Sequence, residues 1–247
     1  MNCPHCTSSY TTRLKRTTNL GYPVFRCHSC DRTFNERTGT PFNFVEVPTD
    51  IVFQVLFSRV RFKLSLRDLV EFFLLRGFEF THETVRDWEE RFTPIFIHQL
   101  RDKRRGTVNR NWFTDEIFIK VRGKNCYLYR AIDSDGNLVD SMLSQKRDME
   151  AAKAFFRKAL ELAEEPPERV VTDGLTSYPR AISEELGTDV KHERRGCQGN
   201  PVEPSHRPVK ARYYPMLGFG AFKSAKRFCE VFDEMNQFLR CRRHMTE

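Results

Sequence analysis

The 247-residue chain contains no run of about 18 apolar residues, so no membrane-spanning helix is expected. Its first ten residues, MNCPHCTSSY, lack the apolar core of a secretory signal, which points to the cytosol. Neither an internal repeat nor a low-complexity tract is found, which excludes repeat arrays. Acidic residues are in deficit: 33 Asp and Glu face 41 Lys and Arg, a formal charge of +8. That excess favours a polyanionic partner, nucleic acid before an anionic membrane. Disorder is not expected, because 39% of the chain is hydrophobic and 22 residues are Phe.

Four of the eight cysteines stand close together as C-x2-C-x20-C-x2-C: Cys3, Cys6, Cys27 and Cys30. Each C-x2-C places two sulfurs on one tight turn, and two such turns make a tetrahedral Zn2+ site. A segment of about 45 residues has too little core to fold alone, and metal supplies the missing stability. The alternative is free or redox-active thiols. His5 and His28 lie inside the knuckles, but four thiolates fill the shell. Cys126, Cys197, Cys229 and Cys241 are isolated and read as ordinary residues.

Residues 50–62 carry a helical pattern. Ser65-Leu66-Arg67-Asp68 has the form of a capping box, Gly77 ends the second helix, and Thr81 suits the N-cap of a third through Phe92. Helix, Gly-containing turn and helix make a helix-turn-helix, with His82, Glu83, Arg86 and Asp87 facing outward; the alternative is a plain bundle. Pro94 is expected to break or bend the chain after it. Residues 49–100 hold 7 basic and 8 acidic side chains, whereas 101–110 hold five basic and one acidic. Lacking periodicity, 101–110 read as a basic linker.

From residue 112 the period becomes that of strands. Two alternating runs turn at Gly123-Lys124, a third follows Asp133-Ser134-Asp135-Gly136-Asn137, and an amphipathic helix spans Ala152 to Ala163. A short strand, Arg169-Val170-Val171-Thr172, leads into Asp173-Gly174. Helix near 176–186, strand near 188–193 and helices after 203 and 221 complete a mixed α/β sheet covered by helices. Asp115 opens the first strand and Asp173 ends the fourth. Glu203 is the one acid among eight basic residues in 194–227, either a salt-bridge partner or a metal ligand. Asp133 and Asp135 are explained by their turn and Asp148 by helix capping. Glu116 should point away from Asp115 on a regular strand.

In order along the chain, W-x-x-D-E, A-I-D-S-D-G, S-Q-K-R-D, T-D-G, N-P-V-E-P-S-H-R-P-V-K and P-M-L-G-F resemble the short, replicative, cointegrate-forming DDE transposases of insertion sequences. L-S-x-R-D-L and G-F-x-x-T-H-E-T-V-R-x-W are similar to the helix-turn-helix of that family, and the ribbon with its T-G-T-P-F exit to one carried by some members. The resemblance covers residues 50–240. It implies a zinc ribbon (1–45), a helix-turn-helix (46–100), the linker (101–110) and a ribonuclease-H-like, retroviral-integrase-like α/β catalytic domain (111–247). It implies Asp115, Asp173 and Glu203 as the catalytic triad holding Mg2+ or Mn2+. Arg207, Lys210, Arg212, Arg86 and His82 are then expected on DNA; His206 is expected either on DNA or in helix packing. The implied partners are terminal inverted repeats and target DNA, with a homo-oligomer holding two ends in the nucleoid of a prokaryotic cytoplasm. The alternatives are an inactive, transposase-derived DNA-binding protein or repressor and a nuclease that does not join. Position 199 is Gly where that family usually has Asn, only Asn200 remaining, and Pro208 is expected to remove a bond from the Glu203 helix.

Overall fold

The computed structural model describes residues 1–62, 64–195 and 201–244, with side chains through residue 240. Gly199, Asn200 and Cys197 lie outside the described residues. The chain divides into two compact units, Met1–Phe92 and Thr93–Glu247.

In the first unit, β1 (Thr11–Thr17), β2 (Pro23–Cys27) and β3 (Thr33–Phe34) form an antiparallel sheet in that order. Strand β1 was not foreseen: its side chains are mostly exposed, so no apolar alternation marks it. The two cysteine knuckles are built alike. Cys3 N–H donates to Ser8 O and Cys27 N–H to Arg32 O, both at 2.9 Å. The residue after each knuckle, Thr7 (φ 62) and Asp31 (φ 57), takes a left-handed conformation that closes the turn. The Cys3 and Cys30 sulfurs are 3.6 Å apart and those of Cys6 and Cys27 3.5 Å, with all four within 4.8 Å. A tetrahedral zinc with bonds of about 2.3 Å separates its sulfurs by about 3.8 Å, so the four thiolates fit that ion. His28 hydrogen-bonds Thr12 Oγ1 at 2.8 Å, away from the sulfurs.

Helices α1 (Thr49–Arg61), α2 (Leu66–Leu74) and α3 (His82–Arg104) follow. The capping box at α2 is formed: Ser65 Oγ accepts from Asp68 N–H at 3.1 Å and Asp68 returns the bond at 2.6 Å. Gly77, at φ +80, turns the chain after α2. Val52, Val55, Leu69, Phe73, Val85, Trp88 and Phe92 are among the buried positions of the three helices. Helix α3 is not stopped by Pro94 and continues through 101–104, four residues expected to be linker. Thr93 and Ile97 are buried on either side of the proline, and that burial offsets the missing hydrogen bond.

The second unit is built on β4 (Asn111–Val121), β5 (Lys124–Asp133), β6 (Leu138–Ser144), β7 (Arg169–Thr172) and β8 (Lys191–Arg194), in the order β6-β5-β4-β7-β8. The first three are antiparallel and β7 and β8 join β4 in parallel. This is the ribonuclease-H-like arrangement. Helices α4 (Met149–Ala163) and α5 (Tyr178–Glu185) cover one face through Trp112, Tyr129, Phe155, Phe156 and Tyr178. Helix α6 (Val202–Tyr213) packs on the other through a cluster of Phe113, Ile132, Val171 and Val202. Helix α7 (Phe222–His244) reaches the same face and packs along β6. Asp148 caps α4 through Ala151 N–H at 2.9 Å, and Asp133 accepts from Asp135 and Asn137 in the turn before β6.

The basic run at the end of α3 is tied down. Glu234 takes Arg101 Nε at 2.9 Å and Arg104 Nε at 2.6 Å, and Arg104 Nη1 donates to Leu138 O and Val139 O. These cations hold α7 and β6 together and are not a solvated linker. Replacing Glu234 with Ala removes the carboxylate that Arg101 and Arg104 share, leaving Asp140 as the acid near both, and urea denaturation is expected to show a loss of about 3 kcal/mol. For the ribbon, chelation is expected to release about one zinc per chain, measured with a chromogenic indicator; four freely alkylated thiols before chelation contradict the zinc assignment.

Candidate active site

Sheet register brings two carboxylates together. Thr114 pairs with Thr172 in the parallel ladder between β4 and β7. One residue further along each strand come Asp115 and Asp173, at the carboxyl end of β7, where open α/β sheets place ligands. Gly174, at φ +98, lets the chain turn sharply after Asp173, and Leu175 N–H donates to Asp173 Oδ1 at 3.2 Å. Asp115 Oδ1 accepts from Glu116 N–H at 2.8 Å.

Oxygens of Asp115, Asp173 and Glu116 lie within 4.8 Å of one another. The Asp115 carboxyl is pushed up to about 7, foremost by burial and then by the negative charges of Asp173, Glu116 and Glu203, against the opposing pull of the Glu116 peptide N–H. A carboxylate cluster that resists its own ionisation is completed by a hard divalent cation, whose preferred ligands are such oxygens.

Glu203 is exposed in the first turn of α6 and lies outside the three-carboxylate group, although its charge reaches Asp115. Its helix runs through Pro208 without ending, because Val202, His206, Val209 and Tyr213 bury one continuous stripe. The helix is fixed to the sheet by Arg130, the β5 partner of Asp115 in register. Arg130 Nη1 donates to Ser205 O at 2.8 Å and Oγ at 2.9 Å, while Nε and Nη2 bind Asp233 of α7 at 3.1 and 2.9 Å. Sequence reasoning missed Arg130; only its place opposite Asp115 in the hairpin signals it.

One expected DNA contact is corrected, and one open alternative is decided by burial. Arg212 is buried and its guanidinium lies 5.4 Å from the centroid of the Phe228 ring, so it is withdrawn from any phosphate. His206 is 1% exposed and lies in helix packing, with Nδ1 3.9 Å from Asp115 Oδ2. Burial, reinforced by Arg130 and Lys210, lowers its imidazolium to about 3, so it is neutral. Arg207 is exposed and Lys210 half-buried, one and two turns beyond Glu203. On α3 His82 is half-buried and Arg86 exposed, and both reach Glu83.

Glu116 was expected to point away and take no part. It does project toward α5, yet its carboxylate stays within reach of the aspartates. Tyr178 Oη donates to its Oε2 at 2.5 Å and Arg147 Nε to its Oε1. With both oxygens engaged, it leaves the open lone pairs to Asp115 and Asp173.

In metal-free protein the raised Asp115 contributes stability below about pH 4 that is lost as pH rises through about 7. His206 acts in the opposite sense, losing stability as pH falls through about 6.5, its unfolded value. A cation at this cluster competes with the Asp115 proton. The increase in Tm on adding Mg2+ is therefore expected to be larger at pH 8 than at pH 6, and scanning calorimetry at both values measures it.

Residues 109–242 match the family DDE_Tnp_IS240, described as a DDE domain. The transposase for the insertion sequence-like element IS431mec of Staphylococcus aureus is 30% identical over 175 residues, covering 69% of this chain and 77% of that protein. The same figures hold for the transposase of insertion sequence element IS257 in transposon Tn4003 of Staphylococcus aureus, at 30% over 175 residues, 69% and 77%. The HTLV-2 integrase catalytic core domain in complex with magnesium aligns at 18% identity and TM-score 0.35, over 43% of this chain and 71% of that one. With its matched domain spanning the paired aspartates and the helix of Glu203, the chain belongs to the DDE transposases of insertion sequences.

Proposed function

We propose that this transposase cuts and joins DNA at the ends of its own element with Asp115, Asp173 and Glu203 as the ligands of two divalent cations, Mg2+ or Mn2+. The observation that carries this is the apposition of Asp115 and Asp173 on adjacent parallel strands, with the Asp115 carboxyl held near 7 by burial and by its acidic neighbours. When bound, the cations activate a water or 3′-hydroxyl and stabilise the leaving oxygen. The chain itself orients the donors. The Glu116 peptide fixes one Asp115 oxygen, the Leu175 peptide fixes one Asp173 oxygen, and Arg130 holds the helix that carries Glu203. Neutral His206 adds no cation to compete for Asp115. Arg207 and Lys210 are placed to neutralise phosphates beside the cut.

Ahead of the catalytic domain (111–247), the ribbon (1–45) and helix-turn-helix (46–100) recognise the terminal repeats, with His82 and Arg86 on the DNA-facing side of α3. Two ends are held at once by a homo-oligomer working on the nucleoid in the cytoplasm. Among the described residues no helix is long and apolar enough to cross a membrane.

The test uses labelled duplex carrying the sequence that flanks the reading frame, with Mg2+. Asp115→Ala, Asp173→Asn and Glu203→Gln are each expected to reduce joined product by about a thousandfold, or about 4 kcal/mol of transition-state stabilisation, while binding persists. Wild-type binding without cleavage indicates a repressor instead, and cleavage without joining a nuclease.

A further inference from the structure

The loop between β6 and α4 places Arg147 at the rim of the aspartate pair. Its backbone is fixed from both sides: Lys146 N–H donates to Ser144 Oγ at 3.1 Å, and Asp148 caps α4. Its guanidinium is anchored at Nε by Glu116, whose side chain is 1% exposed. Glu116 is in turn held by Tyr178, which is wholly buried against Phe156 and Tyr129. The anchor therefore reaches into the core cluster beneath α4 and α5.

The other end of the guanidinium lies beside the exposed Phe118 ring, its Cζ 6.0 Å from the ring centroid. The Arg147 side chain is 35% exposed, and Nη2 stands 3.8 Å from Asp173 Oδ2, beyond hydrogen-bonding distance. Among the described residues neither Nη1 nor Nη2 has a hydrogen-bond partner. A guanidinium carries five donors, and here one is used. Neutralising Glu116 alone would leave no reason for the planar Nη edge to face the carboxylate rim. Anchoring at Nε also keeps Arg147 from closing on Asp173, which leaves that carboxylate available to a cation.

We propose that Arg147 binds a phosphate of the DNA strand at the catalytic centre, with Glu116 and Tyr178 as the positioning residues that aim it. The inference rests on the transposase function given above. Anionic DNA approaching three carboxylates meets repulsion, and a rigid, forked cation beside Asp173 offsets it where a flexible lysine is less well directed.

Arg147→Gln alone leaves the buried Glu116 charge unpaired, so the informative variant is Arg147→Gln with Glu116→Gln, which preserves an acceptor for Tyr178. Its Tm is compared with wild type. Affinity for the flanking-sequence duplex is measured by fluorescence anisotropy in Ca2+ over a series of KCl concentrations. The double variant is expected to bind about tenfold more weakly, with a log–log salt slope shallower by about 0.9, the signature of one lost phosphate contact. Arg147→Lys is expected to keep the slope and lower the cleavage kcat with KM little changed. A double variant with wild-type affinity and slope overturns the proposal, whatever its Tm. Wild-type protein that fails to bind the duplex overturns this proposal and the function it rests on together.

Discussion

The mutual repulsion of carboxylates on neighbouring strands is the constraint around which the catalytic unit is organised. Burial and like charge both oppose ionisation of Asp115, yet the sheet register leaves it no room to retreat. The protein resolves this conflict only in part with a cation of its own, Arg147 standing 3.8 Å from Asp173. The nearest imidazole, His206, is kept neutral, and each nearby arginine is committed to a different acid: Arg130 to Asp233, Arg147 to Glu116. Much of the negative potential of the cluster is thereby left unpaired within the chain.

The two faces of β4 divide the labour. On one, Asp115 looks toward α6 and the Arg130 anchor. On the other, Glu116 is locked into the aromatic core. Removing one partner from either buried pair exposes a desolvated charge to apolar surroundings, a heavier loss than any surface salt bridge would bring. This explains how α6 tolerates Pro208: Arg130 fastens its first turn to the sheet from outside, so the helix does not depend on its own ladder alone.

Much of this was legible in the residues. Strands with alternating burial, such as β4 and β5, and helices with a single apolar stripe, such as α4, announce themselves by period. Asp115 and Asp173 were singled out as acids at the start of one strand and the end of another; Asp173 does follow β7, whereas β4 begins four residues before Asp115. What period does not encode is contact across the sheet. Arg130, Arg147, Arg101 and Arg104 look like surface charge in a basic chain, and their acids lie up to 133 residues away. Arg212 was expected on DNA because a basic residue was taken as outward-facing, and α6 turns it inward; for His206, expected on DNA or in helix packing, α6 takes the second course. Strand β1 was missed because it buries too little to leave a pattern.

The turn between β4 and β5 gives a last consequence. Arg122 and Gly123 both have positive φ, at 50° and 74°, the two-residue hairpin geometry that fixes pairing without slippage. From there the ladder runs unbroken from Val121–Lys124 to Trp112–Asp133. Because strand faces alternate residue by residue, a slip of one position would turn Asp115 inward and present Glu116 in its place. The face on which Asp115 is presented is thus set by a reverse turn at the far end of the strand, so the loop's length constrains the carboxylate cluster as firmly as the acids do.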